Sequence, residues 1–179
     1  MARRAFTLLE LVIAIGIVGL LVALAINHLL SLRVEAERAA LEQVVGGLRI
    51  AVLTKALSLV ASGSDLELSQ LPESNPIDYL LEPPTGYLGE FDEPNPKDMP
   101  PGSWYFDRNR RLLVYRVRYG DRFCSSLGDP PRARFRVVLV YDDRNRSGAF
   151  EAGVDGVGGA RLAPEEPYQW LAEPVTGSH

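Results

Sequence analysis

The sequence has few of the residues on which common catalytic sites depend. Its 179 residues include two histidines and one cysteine. His28 and His179 have no metal-ligand or catalytic spacing, and a lone Cys124 can form neither an internal disulfide nor a CxxC redox pair. No glycine-rich phosphate loop or internal repeat is visible. These absences argue against an enzyme, and we expect the Cys124 thiol to be buried at an edge of the fold.

Proline is absent from Met1 through Gln70. Within this stretch, the segment from Phe6 to Ile26 is apolar or glycine except for Thr7 and Glu10. At about 1.5 Å per residue, a helix of that length spans roughly the 30 Å of a bilayer's hydrocarbon layer. We therefore predict one transmembrane helix.

The charges around this helix give it an orientation. Arg3 and Arg4 precede it, whereas Arg33 and Arg38 beyond it are offset by neighbouring glutamates. The positive-inside bias then leaves the N-terminus cytoplasmic and the rest of the chain periplasmic. Glu10 is costly in such a helix, by about 2.5–3.5 kcal/mol at mid-membrane, so we expect it to have a partner and a role.

Three interpretations of the N-terminal segment compete. A secretory signal peptide explains the arginines and the apolar run, and Ala23 to Ala25 offers a small-x-small cleavage pattern, but it has no need of a charged residue. A plain membrane anchor places Glu10 near the headgroups, where its carboxylate reaches water. The anchor interpretation makes no prediction about the residues beside Glu10. The third interpretation takes Ala5 to Glu10, AFTLLE, as one unit.

This unit, after a short basic leader, resembles the class III signal of type IV pilins and type II secretion pseudopilins. The resemblance is close from Met1 to about Ile26. It implies that a prepilin peptidase cuts between Ala5 and Phe6, removes the leader of residues 1–5 and methylates the new amino terminus of Phe6. Ala5 stands where the family more often has glycine. The membrane segment also lacks the proline that the main fibre-forming pilins usually carry, which favours a pseudopilin or a minor pilin.

The resemblance also implies a role for Glu10 in assembly. In a fibre, the Glu10 carboxylate of one subunit would pair with the Phe6 amine of a neighbour and set the register between them. A low dielectric strengthens that attraction and makes an unpaired carboxylate costly. If Glu10 instead reached water from a plain anchor, Glu10→Gln would assemble normally.

The expected function is that of a structural subunit of a type IV pilus-like fibre or a type II secretion pseudopilus. Its expected partners are other pilin or pseudopilin subunits, the prepilin peptidase, an inner-membrane assembly platform and membrane lipid. We expect a single-pass inner-membrane protein with a periplasmic head, found later in a periplasmic or cell-surface fibre. The alternative is an unprocessed membrane-anchored or secreted periplasmic binding module.

Beyond the membrane segment, apolar residues continue at three- and four-residue steps, which indicates an amphipathic helix. The stripe comprises Leu30, Val34, Leu41, Val45, Leu48, Val52, Ala56 and Leu59. We predict one helix from about Phe6 to Ala61, with residues 6–28 in the membrane and residues 29–61 packed on a soluble head.

The head is predicted to be a small antiparallel sheet, which gives an α+β, pilin-like fold. Residues 61–102 hold eight of the thirteen prolines, so we predict a connector over 62–102 with only short helical pieces such as Ile77 to Leu81. Alternating apolar residues predict strands in the head over residues 103–179. These strands are Ser103 to Phe106, Leu112 to Tyr119 and Ala133 to Tyr141, with an edge strand at Pro167 to Leu171. The glycines at 153, 156, 158 and 159 predict an irregular turn region.

Charge is segregated along the chain. Residues 64–98 contain nine acids and one lysine, and residues 108–146 contain eleven arginines and four aspartates. Such asymmetry suits contacts between subunits, or between connector and sheet within one subunit. Four strand arginines near aromatic residues are a weak candidate for DNA binding, although a solvated sheet face is the commoner explanation and nucleic acid is not an expected partner. They are Arg116, Arg118, Arg134 and Arg136.

Asp143, Asn145 and Ser147 have the opening spacing of a calcium-binding loop. The twelfth position of that pattern is Val154 rather than a glutamate, and Asp155 is out of step. A polar turn after the third strand is therefore the default interpretation. We expect no cofactor, with calcium as the weak alternative.

Overall fold

The computed structural model of the chain describes residues 7–144, 146–148, 150–151 and 154–171, and only the backbone at residues 27, 28, 30 and 31. A long helix, α1 (Leu8–Ser62), is followed by a short helix, α2 (Asp65–Gln70), and by 3-10 helices at Leu71–Glu73, Pro76–Tyr79 and Gly120–Arg122. The strands are β1 (Tyr87–Phe91), β2 (Ser103–Asp107), β3 (Leu112–Arg116), β4 (Phe123–Ser125), β5 (Arg132–Asp142), β6 (Gly156–Pro164) and β7 (Tyr168–Trp170). The predicted α+β class, a long N-terminal helix on a small sheet, is confirmed.

Helix α1 runs for 55 residues without a break, and its ends have clear local causes. Thr7 is the N-cap, and its side-chain oxygen accepts a hydrogen bond from the backbone N–H of Glu10 at 3.3 Å. At the other end Gly63 adopts φ +68°, a left-handed conformation that glycine tolerates, and closes the last turn. The helix ends one residue beyond the predicted Ala61.

The two halves of α1 have different surroundings. From Val34 onward the predicted apolar stripe is buried against the head. The side chain of Leu30, the first residue of the stripe, lies outside the described residues. Burying each such Val or Leu side chain contributes about 1.5–3 kcal/mol relative to leaving it exposed. In contrast, none of Leu8–Ile26 is buried. By length and composition, both Leu8–Ile26 and Leu32–Ser62 could span a membrane, but the second stretch is partly covered by the head.

The main sheet has the strand order β1-β2-β3-β5-β6. Its neighbours are antiparallel except for β1 and β2, which are parallel. Strands β2 and β3 form a hairpin, in which the Asp107 side chain accepts a hydrogen bond from the Arg110 backbone N–H at 3.0 Å. One sheet face packs on α1 through Trp104, Phe106, Leu113, Tyr115, Phe135 and Val137.

The proline-rich connector forms an ordered layer that the sequence did not predict in full. It contributes β1 to the main sheet, and Phe91 and Met99 cover a second apolar cluster on the outer sheet face. That cluster is Tyr105, Leu112 and Val114. The buried side chain of Asn75 fixes the connector by donating to the Tyr87 hydroxyl at 2.7 Å and to Glu90 at 2.9 Å.

The predicted glycine-rich turn region is wrong where the structure describes it. Gly156, Gly158 and Gly159 lie within β6, which pairs with β5 and packs against α1, while Gly153 lies outside the described residues. A Cβ atom at Gly159 would sit 3.2 Å from the Leu53 Cδ1 atom, and the residue has φ +144°. Glycine therefore permits a close approach of strand and helix.

The last strand does not lie at the edge of the main sheet. Strand β7 lies within the predicted Pro167 to Leu171, but it joins β4 in a separate two-stranded sheet. In β4, Phe123 packs against Tyr168 and Trp170, with ring centroids 5.6 and 5.1 Å apart. The next residue faces the other way, so Cys124 is exposed and its predicted burial is wrong.

Candidate membrane and assembly segment

The first half of α1 is an apolar helix whose sides are all exposed within one subunit. From Leu8 to Ile26 no residue is covered by the described part of the chain. An apolar surface of this size is unfavourable in water, because every side chain leaves its apolar area hydrated. Such a surface is suited to contact with lipid or with neighbouring helices.

Glu10 lies in the first turn of this helix. Its backbone N–H is bonded to the Thr7 side chain, and its own side chain is exposed. A carboxylate in the first turn interacts favourably with the helix dipole, but that effect is worth only about 0.3–1 kcal/mol. It does not remove the cost of placing the charge in lipid. The predicted cleavage and methylation residues, Ala5 and Phe6, lie outside the described residues.

The comparisons with known proteins agree with this N-terminal geometry. Residues 1–26 match the model of the prokaryotic N-terminal methylation motif. The chain has a pilin-type N-terminus. The motif supports membership of the type IV pilin-like and pseudopilin family, and it points to a structural subunit rather than an enzyme. Comparison with curated proteins and with solved structures gives no match.

A pilin-type N-terminus has general consequences for the chain. It implies processing by a prepilin peptidase and assembly with other pilin subunits. Together with the apolar helix Leu8–Ile26, it is consistent with a single-pass, membrane-anchored protein.

A buried carboxylate joins the pilin-type helix to the head. The Glu37 side chain accepts hydrogen bonds from the Tyr115 hydroxyl at 2.8 Å and from the backbone N–H groups of Arg118 at 2.6 Å and Tyr119 at 2.9 Å. Glu37 is 9% exposed. Burial raises the pKa of Tyr115, and the hydrogen bond to Glu37 raises it further. This Glu37 clamp fixes the end of β3 on α1.

Sequence reasoning missed the clamp because Glu37 was considered only as an acid that offsets the neighbouring Arg33 and Arg38. A signal was nevertheless present. Glu37 lies three residues after Val34 and four before Leu41, which places it on the buried stripe. Strand β3 ends at Arg116 rather than at the predicted Tyr119. The chain leaves the sheet there, and the backbone of Arg118 and Tyr119 turns to meet Glu37.

The four arginines proposed for DNA binding are not brought together as one free surface. Arg134 pairs with Glu166, and Arg136 makes two bonds of 2.8 Å to Glu165, which lower the pKa of that carboxyl. Arg116 lies 3.4 Å from backbone carbonyls of Val117 and Pro131. Arg118 lies instead beside α1, next to the Glu37 clamp. Arg116, Arg134 and Arg136 are thus engaged within the described part of the subunit, and DNA binding stays a prediction.

In the loop considered for calcium, carboxylate oxygens already bind the backbone. Asp143 accepts from the N–H groups of Ser147 at 3.0 Å and Gly148 at 2.8 Å, and Asp155 accepts from Arg144 and Glu151. Asn145 lies outside the described residues. Over the described ranges, no group of three or more His, Cys, Asp or Glu residues could hold a metal ion. These bonds fit a polar turn, and calcium binding stays a prediction.

Some of the segregated charges meet within one subunit. The connector acids Glu90 and Asp92 lie 3.8 and 3.2 Å from Arg108, and Glu73 lies 2.6 Å from Arg111. Because these side chains are largely exposed, each pair contributes at most about 1 kcal/mol. The pairs favour the connector-to-sheet explanation of the charge asymmetry.

Proposed function

We propose that the chain is a structural subunit of a type IV pilus-like fibre or a type II secretion pseudopilus. In this proposal it is cut between Ala5 and Phe6, methylated at Phe6, and assembled in the inner membrane with Glu10 setting the register. One observation carries the proposal. The methylation motif over residues 1–26 includes the start of helix α1, whose first half is exposed and whose second half is anchored to a head.

The chemistry of the proposed register contact follows from charge and position. Cleavage would give Phe6 a cationic amine four residues before Glu10, about one helical turn away. Within one subunit the two groups would partly neutralise each other. Between two subunits in an apolar environment, the same attraction holds only in the register that brings amine and carboxylate together. Any other register leaves a charge unpaired in a low dielectric, at a cost of several kcal/mol.

The head would then follow the helix into the assembly. The buried stripe and the Glu37 clamp fix the head on the second half of α1. Packing of the exposed first halves would therefore determine how the heads are arranged. In this scheme the apolar surface of Leu8–Ile26 passes from lipid contact to helix contact without being exposed to water.

The proposal predicts that Glu10→Gln prevents assembly. The substitution keeps the size of the side chain but removes the charge that attracts the amine of a neighbour. The full-length chain is produced with its assembly machinery, and incorporation is measured as the amount recovered in sheared or purified fibres. We expect Glu10→Gln to fall to the background level, with the subunit still present in the membrane.

The matched control is Glu35→Gln, which removes the same charge from an exposed position on the same helix. Its incorporation should equal that of the wild type. Normal incorporation of Glu10→Gln would contradict the role of Glu10 as a register residue and would support an anchor in which Glu10 reaches water.

A further inference from the structure

A cavity of about 520 Å³ lies where the head meets the beginning of the covered half of α1. The helix contributes Arg33 and Glu37 to its wall, and the head contributes Thr85, Trp104, Arg118 and Tyr119. Neither the motif nor the assembly proposal gives this cavity a role.

The charges in the cavity favour an anion. Arg33 and Arg118 are exposed, and neither side chain has a carboxylate within 4.0 Å among the residues that the structure describes. By contrast, Arg134 and Arg136 on the sheet are both paired with glutamates. The acidic residue in the lining is Glu37, whose carboxylate already accepts three hydrogen bonds. Two guanidinium groups are therefore left to bind a ligand.

The backbone leaves room for the guanidinium of Arg118. Gly102 has φ +80°, and a Cβ atom there would lie 2.5 Å from the Arg118 Nη2 atom. The side chain thus lies directly over a glycine that also lines the cavity. Arginine presents a planar set of donors that matches phosphate oxygens, and a pair of arginines can contact one phosphate from two sides.

The end of the cavity nearest the membrane segment lies close to the lipid headgroups. The Arg33 Cα atom is seven residues beyond Ile26, about 10 Å along the helix, which is just outside a headgroup layer of roughly 5–8 Å. Helical side chains tilt toward the N-terminus of their helix, so the Arg33 side chain is directed back toward the membrane. Tyr119, which is half-buried, supplies an aromatic side chain of the kind typical of a membrane interface.

We propose that this cavity binds the phosphate-bearing headgroup of an anionic glycerophospholipid, with Arg33 and Arg118 contacting the phosphate. The site requires Leu8–Ile26 to lie in a bilayer, but it requires neither cleavage at Phe6 nor polymerisation. A lipid held there fixes the base of the head against the membrane surface.

The test uses the full-length chain in bilayer discs of phosphatidylcholine containing phosphatidylglycerol. The protein is released into detergent, and native mass spectrometry measures which lipids stay bound. We expect preferential retention of phosphatidylglycerol. Because an arginine near an anionic surface contributes about 1 kcal/mol, Arg33→Gln should weaken retention about fivefold, and the Arg33→Gln, Arg118→Gln pair about 25-fold.

The matched control is Arg161→Gln on β6. The neighbours of Arg161 in β6 meet α1 near Arg49 and Leu53, at least sixteen residues or about 24 Å further along the helix than Arg33. This variant should retain phosphatidylglycerol as the wild type does. If the double variant does not fold, Arg33→Gln alone provides the test. This single variant should fold, because Arg33 is exposed on the helix surface.

Three results would overturn the proposal. The first is equal retention of phosphatidylcholine and phosphatidylglycerol by the wild type. The second is wild-type retention by Arg33→Gln or by the double variant. The third is displacement of the lipid by millimolar inorganic phosphate, which would identify a general phosphate site rather than a lipid site. Retention that is selective, arginine-dependent and resistant to inorganic phosphate supports it, whether or not the chain is cleaved at Phe6.

Discussion

At the residue scale, two glutamates of one helix have opposite environments. Glu10 is exposed in the apolar half of α1, where a single subunit offers it no cover. Glu37 is buried and accepts three hydrogen bonds from the head. The sequence was sufficient to single out Glu10, because its motif is local. The clamp could not be assigned to its partners, because these lie 78 to 82 residues further along the chain.

Removing the charge of Glu37 should destabilise the junction between helix and head. Glu37→Gln keeps the shape of the side chain but replaces one acceptor oxygen with a donor, which faces N–H groups. We expect the free energy of unfolding to fall by about 1–3 kcal/mol. The measurement is urea unfolding of the full chain in detergent micelles. The exposed Glu35→Gln should change that free energy by less than about 0.5 kcal/mol, and equal effects of the two variants would contradict the clamp.

Tyr115 should make the protein sensitive to alkaline pH. Burial and the bond to Glu37 raise its pKa in the folded state, whereas in the unfolded chain it titrates near pH 10. Stability is therefore fully present below about pH 10 and falls as the pH rises toward the folded pKa, because only the unfolded state releases the proton. Tyr115→Phe should reduce this loss by about 1.4 kcal/mol per pH unit. An unchanged slope above pH 10 would show that Tyr115 does not contribute.

At the element scale, the periodic segments were predictable and the irregular ones were not. The apolar stripe of α1 and the alternation in β3 and β5 repeat regularly, so single residues reinforce one another. Strand β6 was not recognised, because glycine has a low strand propensity. The need for glycine at position 159 arises from the contact of the strand with Leu53, which the sequence does not show. Strand β1 was hidden by the prolines around it, and its parallel pairing with β2 depends on a distant contact.

A side chain at Gly159 should separate β6 from α1. Gly159→Ala places a Cβ atom 3.2 Å from the Leu53 Cδ1 atom at a φ of +144°, so both contact and backbone are strained. We expect the free energy of unfolding to fall by about 1–3 kcal/mol. The matched control is Gly47→Ala in α1, where nothing lies within 4 Å of the new Cβ atom. That change should stabilise the helix by about 1 kcal/mol, and destabilisation of equal size in both variants would contradict the assignment.

At the scale of the whole molecule, one helix joins two environments. Its first half presents apolar side chains on every side, and its second half buries a stripe under the sheet. The fold class could be predicted from the sequence because both halves have strong patterns. The cavity at their junction could not be predicted, since it depends on Arg33, Trp104 and Arg118 meeting in three dimensions.

The most direct test of the proposed function is the intact mass of the full-length chain produced with and without an active prepilin peptidase. The account predicts that the peptidase removes Met1 to Ala5 and adds one methyl group to Phe6, and that an inactive peptidase leaves the chain unchanged. An N-terminus that stays intact beside the active enzyme would contradict it. Cleavage after Ala25 would also contradict it and would identify a secreted domain instead.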